Sequence, residues 1–150
     1  MEGMSHAYAR NYIHIAFGTK DQRQVIKPAI QQQLWDLIAD LARKYGVEVR
    51  AVAGGEDHVH LLVCLPPKIA LANLVRHVKQ GSSQWMNENG HFFHWQAGYA
   101  AFSVSTSNLA AVNAYFSTQP DLHRTRSFHD EFSALLTKHG IEFTPEKIFG

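Results

Sequence analysis

Hydrophobic positions recur along this chain with two different periods, and the switches between them mark out its elements. From Asn11 to Thr19 they alternate, with Ile13, Ile15 and Phe17 on one side and Tyr12, His14 and Ala16 on the other, the period of a half-buried strand. Thr19 to Lys27 is polar and charged, a loop. From Pro28 the spacing becomes helical: Ile30, Leu34, Leu37, Ile38, Leu41 and Tyr45 share a face, proline suits the first turn, and Gly46 supplies the stop. Val47 to Ala53 and His58 to Leu65 return to strand character, and Gly54-Gly55-Glu56-Asp57 between them predicts a hairpin. After Pro66-Pro67, the apolar positions Leu71, Leu74, Val75, Val78 and Trp85 predict a second helix, whose polar face carries Arg76, Lys79 and Ser83.

Asn87 to Gly98 is an irregular link rich in aromatic residues and histidine. Tyr99 to Ser105 predicts a fourth strand, with Phe102 and Val104 turned to the core and Ser103 and Ser105 opposite. Thr106 or Ser107 is expected to cap a third helix with the stripe Leu109, Val112 and Phe116, ended by Pro120. Ser127 with Asp130 opens a fourth helix carrying Phe128, Phe132, Leu135 and Leu136 and closed by Gly140, and a short arm runs from Ile141 to Gly150.

The order strand, helix, strand, strand, helix, strand, followed by further helices, predicts an α+β fold: a ferredoxin-like, or RRM-like, antiparallel sheet with two helices on one face. Those two helices should cover Ile13, Ile15, Phe17, Val59, Leu61, Val63, Phe102 and Val104. The other face would gather Tyr12, His14, His58, His60, Ser103 and Ser105 with Leu62 and Cys64. A face so mixed needs partial cover, and the helix bearing Tyr115 is the available lid, supplied by the same chain or by a partner.

Composition narrows the class. At 150 residues, one domain spanning 1–150 is expected, and 45% hydrophobic with 18% charged residues describes a folded globular chain. A net charge of +1 argues against a polybasic, non-specific nucleic-acid binder, while leaving room for a local basic patch. The single cysteine, Cys64, in an apolar run reads as a buried, reduced thiol. No stretch approaches the roughly 18 apolar residues of a membrane span, and the N-terminus is too polar for a secretion signal, so a cytoplasmic protein is expected.

The candidate chemistry sits at two places. His58 and His60, two apart on a strand, share a face, and Tyr115 and Gln119, four apart on a helix, share another. Each pair alone has an ordinary explanation, a solvated strand face or a packed tyrosine. Together, two imidazoles, an amide oxygen and a phenol describe a metal site with open coordination positions and a nucleophile beside it. His91 and His94 have no cysteine near them and read as packing residues. No glycine-rich nucleotide loop occurs, so no nucleoside triphosphate is implicated.

These residues also carry a resemblance. His58-Val59-His60-Leu61-Leu62-Val63, Leu65-Pro66-Pro67, Lys79-Gln80-Gly81-Ser82-Ser83, the stretch Gly98 to Ser105 and the run Tyr115 to Gln119 resemble the single-tyrosine transposases of insertion-sequence 200-like elements. The segments His123-Arg124, Ser127-Phe128, Glu131-Phe132, Leu135-Leu136 and His139 to Glu142 are similar to that family's C-terminal region. The resemblance implies a dimeric HUH endonuclease in which His58, His60 and Gln119 hold Mg²⁺ or Mn²⁺ and Tyr115 attacks single-stranded DNA. It further implies a 5′-phosphotyrosine intermediate, recognition of hairpins near element ends, and a homodimer with composite active sites. Arg76 and Lys79 are the candidates for phosphate contact, with Arg124 and Arg126 behind them. A non-catalytic module binding nucleic acid on the sheet, and a domesticated nuclease acting on host repeats, are the competing readings.

Overall fold

The computed structural model describes residues 8–119 and 126–144. Its first two-thirds follow the hydrophobic pattern closely. Strand β1 (Tyr12–Gly18) leads through a short 3₁₀ turn to helix α1 (Pro28–Lys44), then come β2 (Glu48–Gly54), β3 (His58–Cys64), α2 (Leu71–Glu88) and β4 (Ala100–Val104). The sheet is antiparallel in the order β2-β3-β1-β4, the ferredoxin-like arrangement. Pro28 occupies the first turn of α1, and Gly46, at φ +97°, makes the left-handed turn that ends it.

One face of the sheet carries the main core. Ile15 and Phe17 of β1 and Val59, Leu61 and Val63 of β3 pack under Leu34, Trp35 and Ile38 of α1 and Leu74, Val75 and Val78 of α2. The aromatic link also belongs here. Phe93 and Trp95 are buried in this core, and Trp95 donates from its indole nitrogen to Ser82 Oγ at 2.9 Å. His94 lies exposed against Phe92, and no group of potential metal ligands among the described residues includes His91 or His94.

The fourth strand departs from the expected facing. His14 pairs with Phe102 and Ile15 with Ala101, so Phe102 and Val104 lie on the histidine side of the sheet, and Ala101 and Ser103 lie on the helix side. The period of β4 is the expected one, and its facing is the opposite of that expected. The reason lies later in the chain: helix α4 (Phe128–Lys138) brings Phe128, Phe132 and Leu136 onto that side, where with Ala100 and Phe102 they form a second, smaller core. Ser127 caps α4 as expected, accepting from the amide of Asp130 at 3.2 Å.

Helix α3 (Leu109–Ser117) follows a 3₁₀ turn at Thr106–Asn108, and neither Thr106 nor Ser107 provides its cap; Asn108 stands at that position without a side-chain bond. Phe116 is the buried anchor of α3. Tyr115 lies within this helix, whereas Gln119 falls beyond its C-cap residue, Thr118. The expected stop at Pro120 lies outside the described residues. Cys64 is a free, half-buried thiol at the end of β3.

Candidate active site

The face opposite the main core is organised around the start of β3. His58 and His60 point the same way by strand alternation, and both are 0% exposed, so they are not a solvated surface pair. A close turn holds this end of the strand. A Cβ on Gly54 would collide with the carbonyl oxygen of His58, so the hairpin tolerates no side chain there.

Each histidine has a partner on its Nδ1 side. His58 Nδ1 is 2.8 Å from the carboxylate of Asp57, and His60 Nδ1 is 2.8 Å from Nε2 of His14 on the neighbouring strand. Burial, reinforced by the proximity of His60, pushes the pKa of His14 down to about 3, so it stays neutral near pH 7. A neutral His14 accepting from His60 Nδ1–H turns His60 Nε2 inward, and the Asp57 carboxylate does the same for His58. Phe128 stacks on the His58 ring at 4.2 Å between centroids, fixing its plane.

The inward nitrogens converge on Glu131 of α4, which is 2% exposed. Glu131 Oε1 lies 3.6 Å from His58 Nε2, and Oε2 lies 3.5 Å from His60 Nε2. The same Oε2 accepts from Gln119 Nε2 at 2.9 Å and from the hydroxyl of Tyr115. Gln119 Oε1 in turn is 3.1 Å from His58 Nε2. Burial alone would raise the pKa of Glu131, but its bond with His60, the His60 charge, and donation from Tyr115 and Gln119 outweigh it and hold the group ionised, below the usual carboxylate range. For Tyr115, burial, then the bond to Glu131 and the Glu131 charge, push the pKa well above the ordinary tyrosine value; Gln119 and Arg126 pull the other way.

The site therefore brings together all four residues expected from the sequence, His58, His60, Tyr115 and Gln119, within one chain. It engages His14, which the strand alternation had placed on this face without a role, and adds Asp57 and Glu131, which were not foreseen. Glu131 had a sequence signal, since it occupies a position of the apolar stripe Phe128, Phe132, Leu135 of its helix, where an ionised side chain is out of place. His58, His60 and Glu131 offer ligand atoms all within 4.8 Å of one another. Two imidazole nitrogens, each oriented by an outer partner, and one carboxylate oxygen fit a divalent cation.

The basic candidates are dispersed. Arg76 and Lys79 belong to α2, which packs on the opposite face of the sheet. Arg76 is exposed and bonds Asn73. Lys79 is turned onto the chain itself: its Nζ donates to the carbonyls of Gln96 at 2.8 Å and Gly98 at 2.7 Å and lies 5.1 Å over the Phe17 ring. It ties down the segment that enters β4. Burial lowers its pKa to about 8, against an ordinary 10.5. Between these values the unfolded chain binds the proton and the folded one releases it, so stability should rise as pH climbs from about 8 to 10.5. Urea unfolding of wild type and Lys79→Met across that window checks this; the rise should be absent from the variant. Arg126 lines a cleft of about 360 Å³ with Gly54, Gly55, Asp57, Ser127 and Phe128, at the hairpin turn that precedes His58. Arg124 lies outside the described residues.

The buried histidine pair, the carboxylate and the tyrosine thus lie together on the sheet face that α4 covers, and comparison with known proteins assigns the class. The family model described as "Transposase IS200 like" matches residues 7–119, and the chain belongs to that family of transposases. It is 27% identical over 130 residues to the ISDra2 transposase TnpA of Deinococcus radiodurans, covering 80% of this chain and 91% of that protein. Two solved structures share the fold. One is a crystal structure of a transposase candidate from Deinococcus radiodurans R1, with a TM-score of 0.62 and 24% identity over 77% of this chain and 95% of that one. The other is a REP-associated tyrosine transposase bound to a REP hairpin, with a TM-score of 0.61 and 17% identity over 82% of this chain and 74% of that one. No helix among the described residues is long and apolar enough to cross a membrane.

Proposed function

We propose that this transposase is a metal-dependent, single-strand-specific enzyme that cuts and rejoins DNA through a covalent link to Tyr115. The observation that carries the reading is the convergence of the Tyr115 hydroxyl, the Gln119 amide and the inward nitrogens of His58 and His60 on one buried point. In this reading His58, His60 and Gln119, joined by Glu131, would hold Mg²⁺ or Mn²⁺. When bound, the ion neutralises charge on a backbone phosphate and makes the phosphorus more electrophilic. Tyr115 attacks that phosphorus, the bond to the 3′-oxygen breaks, and a 5′-phosphotyrosine with a free 3′-hydroxyl results. The link conserves the phosphoester, so rejoining to another strand end needs no nucleoside triphosphate.

The DNA partner in this reading is a single strand with hairpins near the element ends, as the hairpin-bound relative suggests. Arg126 is the leading candidate for contact with a phosphate, a reading supported by its charge acting on Tyr115. Arg124 and Arg76 are further candidates, while Lys79 would act through the segment it anchors. Helix α3 rests on one buried aromatic anchor, which suits exchange of the tyrosine helix between two subunits of a homodimer. The whole of 1–150 then works as one domain, in the cytoplasm where chromosomal single strands arise. The test is incubation with single-stranded DNA from either side of the coding region and Mn²⁺, followed by denaturing electrophoresis. A denaturation-resistant protein–DNA adduct is expected; binding that is indifferent to metal and forms no adduct would favour a non-catalytic module instead.

A further inference from the structure

Nothing in the metal set explains why the tyrosine hydroxyl is bonded to a buried carboxylate. Along α4 the side chains at 128, 131, 132 and 136 all face the sheet, and only Glu131 is polar. Burying an ionised group there is costly unless it is fully engaged. Two groups donate to it, the Tyr115 hydroxyl and the Gln119 amide, and it lies 3.6 Å from His58 Nε2 and 3.5 Å from His60 Nε2. The Tyr115 hydroxyl donates to Glu131 Oε2, so the phenol hydrogen already points at the carboxylate. Other candidates for taking that hydrogen are poorly placed. Gln119 is an amide without useful basicity, His14 and His60 are bonded to each other at 2.8 Å, and the His60 ring meets Tyr115 edge-on at 5.5 Å between centroids. Phe128, Phe132 and Leu136 seat α4 in the second core, so Glu131 is held rigidly with the histidine pair.

We infer that Glu131 is a catalytic residue whose Oε2 receives the hydroxyl proton of Tyr115 as the tyrosine oxygen bonds to phosphorus. The inference rests on Tyr115 being the nucleophile and adds the destination of its proton. In the forward step the O–P bond to Tyr115 forms, the P–O3′ bond breaks, the proton moves to Glu131, and the departing 3′-oxygen takes a proton from water. In rejoining, a 3′-hydroxyl attacks the phosphotyrosine and loses its proton to water, while protonated Glu131 returns its proton to the departing phenol oxygen. One carboxylate thus meets the histidine pair and the nucleophile at once, with Oε1 toward His58 and Oε2 shared by His60, Gln119 and Tyr115.

The experiment compares wild type, Glu131→Gln and Glu131→Asp in full-length protein. Mn²⁺ binding is first titrated by electron paramagnetic resonance for each, and adduct formation is then timed at saturating Mn²⁺ on the flanking single-stranded DNA. Glu131→Gln keeps the size and can still accept the tyrosine bond, so the fold should persist, with Mn²⁺ bound about tenfold more weakly. At saturating Mn²⁺ its adduct should form about a hundredfold more slowly, or worse, and Glu131→Asp should recover part of the rate. A rate restored to the wild-type value by Mn²⁺ would overturn the inference and leave Glu131 a ligand only. Equal rates for the Gln and Asp variants would likewise reduce it to a packing role. A wild-type protein that binds Mn²⁺ and forms no adduct would instead remove the transposition mechanism itself, and this inference with it.

Discussion

Tyr115→Phe is expected to abolish the covalent protein–DNA adduct while leaving the fold and DNA binding in place. The substitution removes one oxygen from a residue of α3 whose buried anchor is the neighbouring Phe116, so the helix keeps its seat. Glu131 loses one donor and retains Gln119 at 2.9 Å and the two histidines. A single lost hydrogen bond to a charged group costs about 1.5–3 kcal/mol, enough to lower the unfolding midpoint without unfolding the protein. The chemical consequence is total, because phenylalanine has no atom that can bond to phosphorus. Denaturing electrophoresis reads the adduct, and a mobility shift on hairpin DNA reads binding. An adduct formed equally well by the variant would place the nucleophile elsewhere.

His58→Ala is the second large effect, and it is read without DNA. If the cation site is as proposed, the substitution removes a ligand nitrogen together with the ring against which Phe128 stacks. Mn²⁺ binding should fall by about a hundredfold or more, since metal sites lose that much even through weaker, outer changes. Wild type at about a hundred times its dissociation constant gains roughly 2.7 kcal/mol from binding, so added Mn²⁺ should raise its melting temperature. The same addition should leave His58→Ala unmoved. A variant with undiminished Mn²⁺ affinity would mean that the buried cluster is structural. The variant should also melt lower without metal, because Glu131 stays buried with one partner fewer.

Much of this architecture could be read from periodicity. The strands and the two covering helices came out with nearly correct bounds because each repeats its apolar positions over several turns or alternations. The weaker readings share a cause. Phe102 and Val104 alternate clearly with Ser103 and Ser105, but alternation says that two faces differ, not which face meets which helix. A second hydrophobic core beneath α4 claimed the phenylalanine. Lys79 looks on a helical wheel like a solvated cation, and only the path of residues 96–98 turned it inward. Among the described basic candidates, Arg126 is the one on the side of the histidine strand, because α4 begins beside the hairpin turn.

The site divides in the same way. By itself the sequence determined the pairs: histidines two apart must share a strand face, and the tyrosine and glutamine four apart were bound to lie near one another. That these pairs meet depends on contacts between residues as far apart as His58 and Gln119, sixty-one positions along the chain. So does the engagement of His14 with His60, forty-six positions away. Glu131 is the clearest case. A lone carboxylate in an apolar stripe is legible as an anomaly, but its meaning depends on what the stripe covers. Packing of α4 against the histidine face decided that, because an ionised group can be buried there only where several donors already converge.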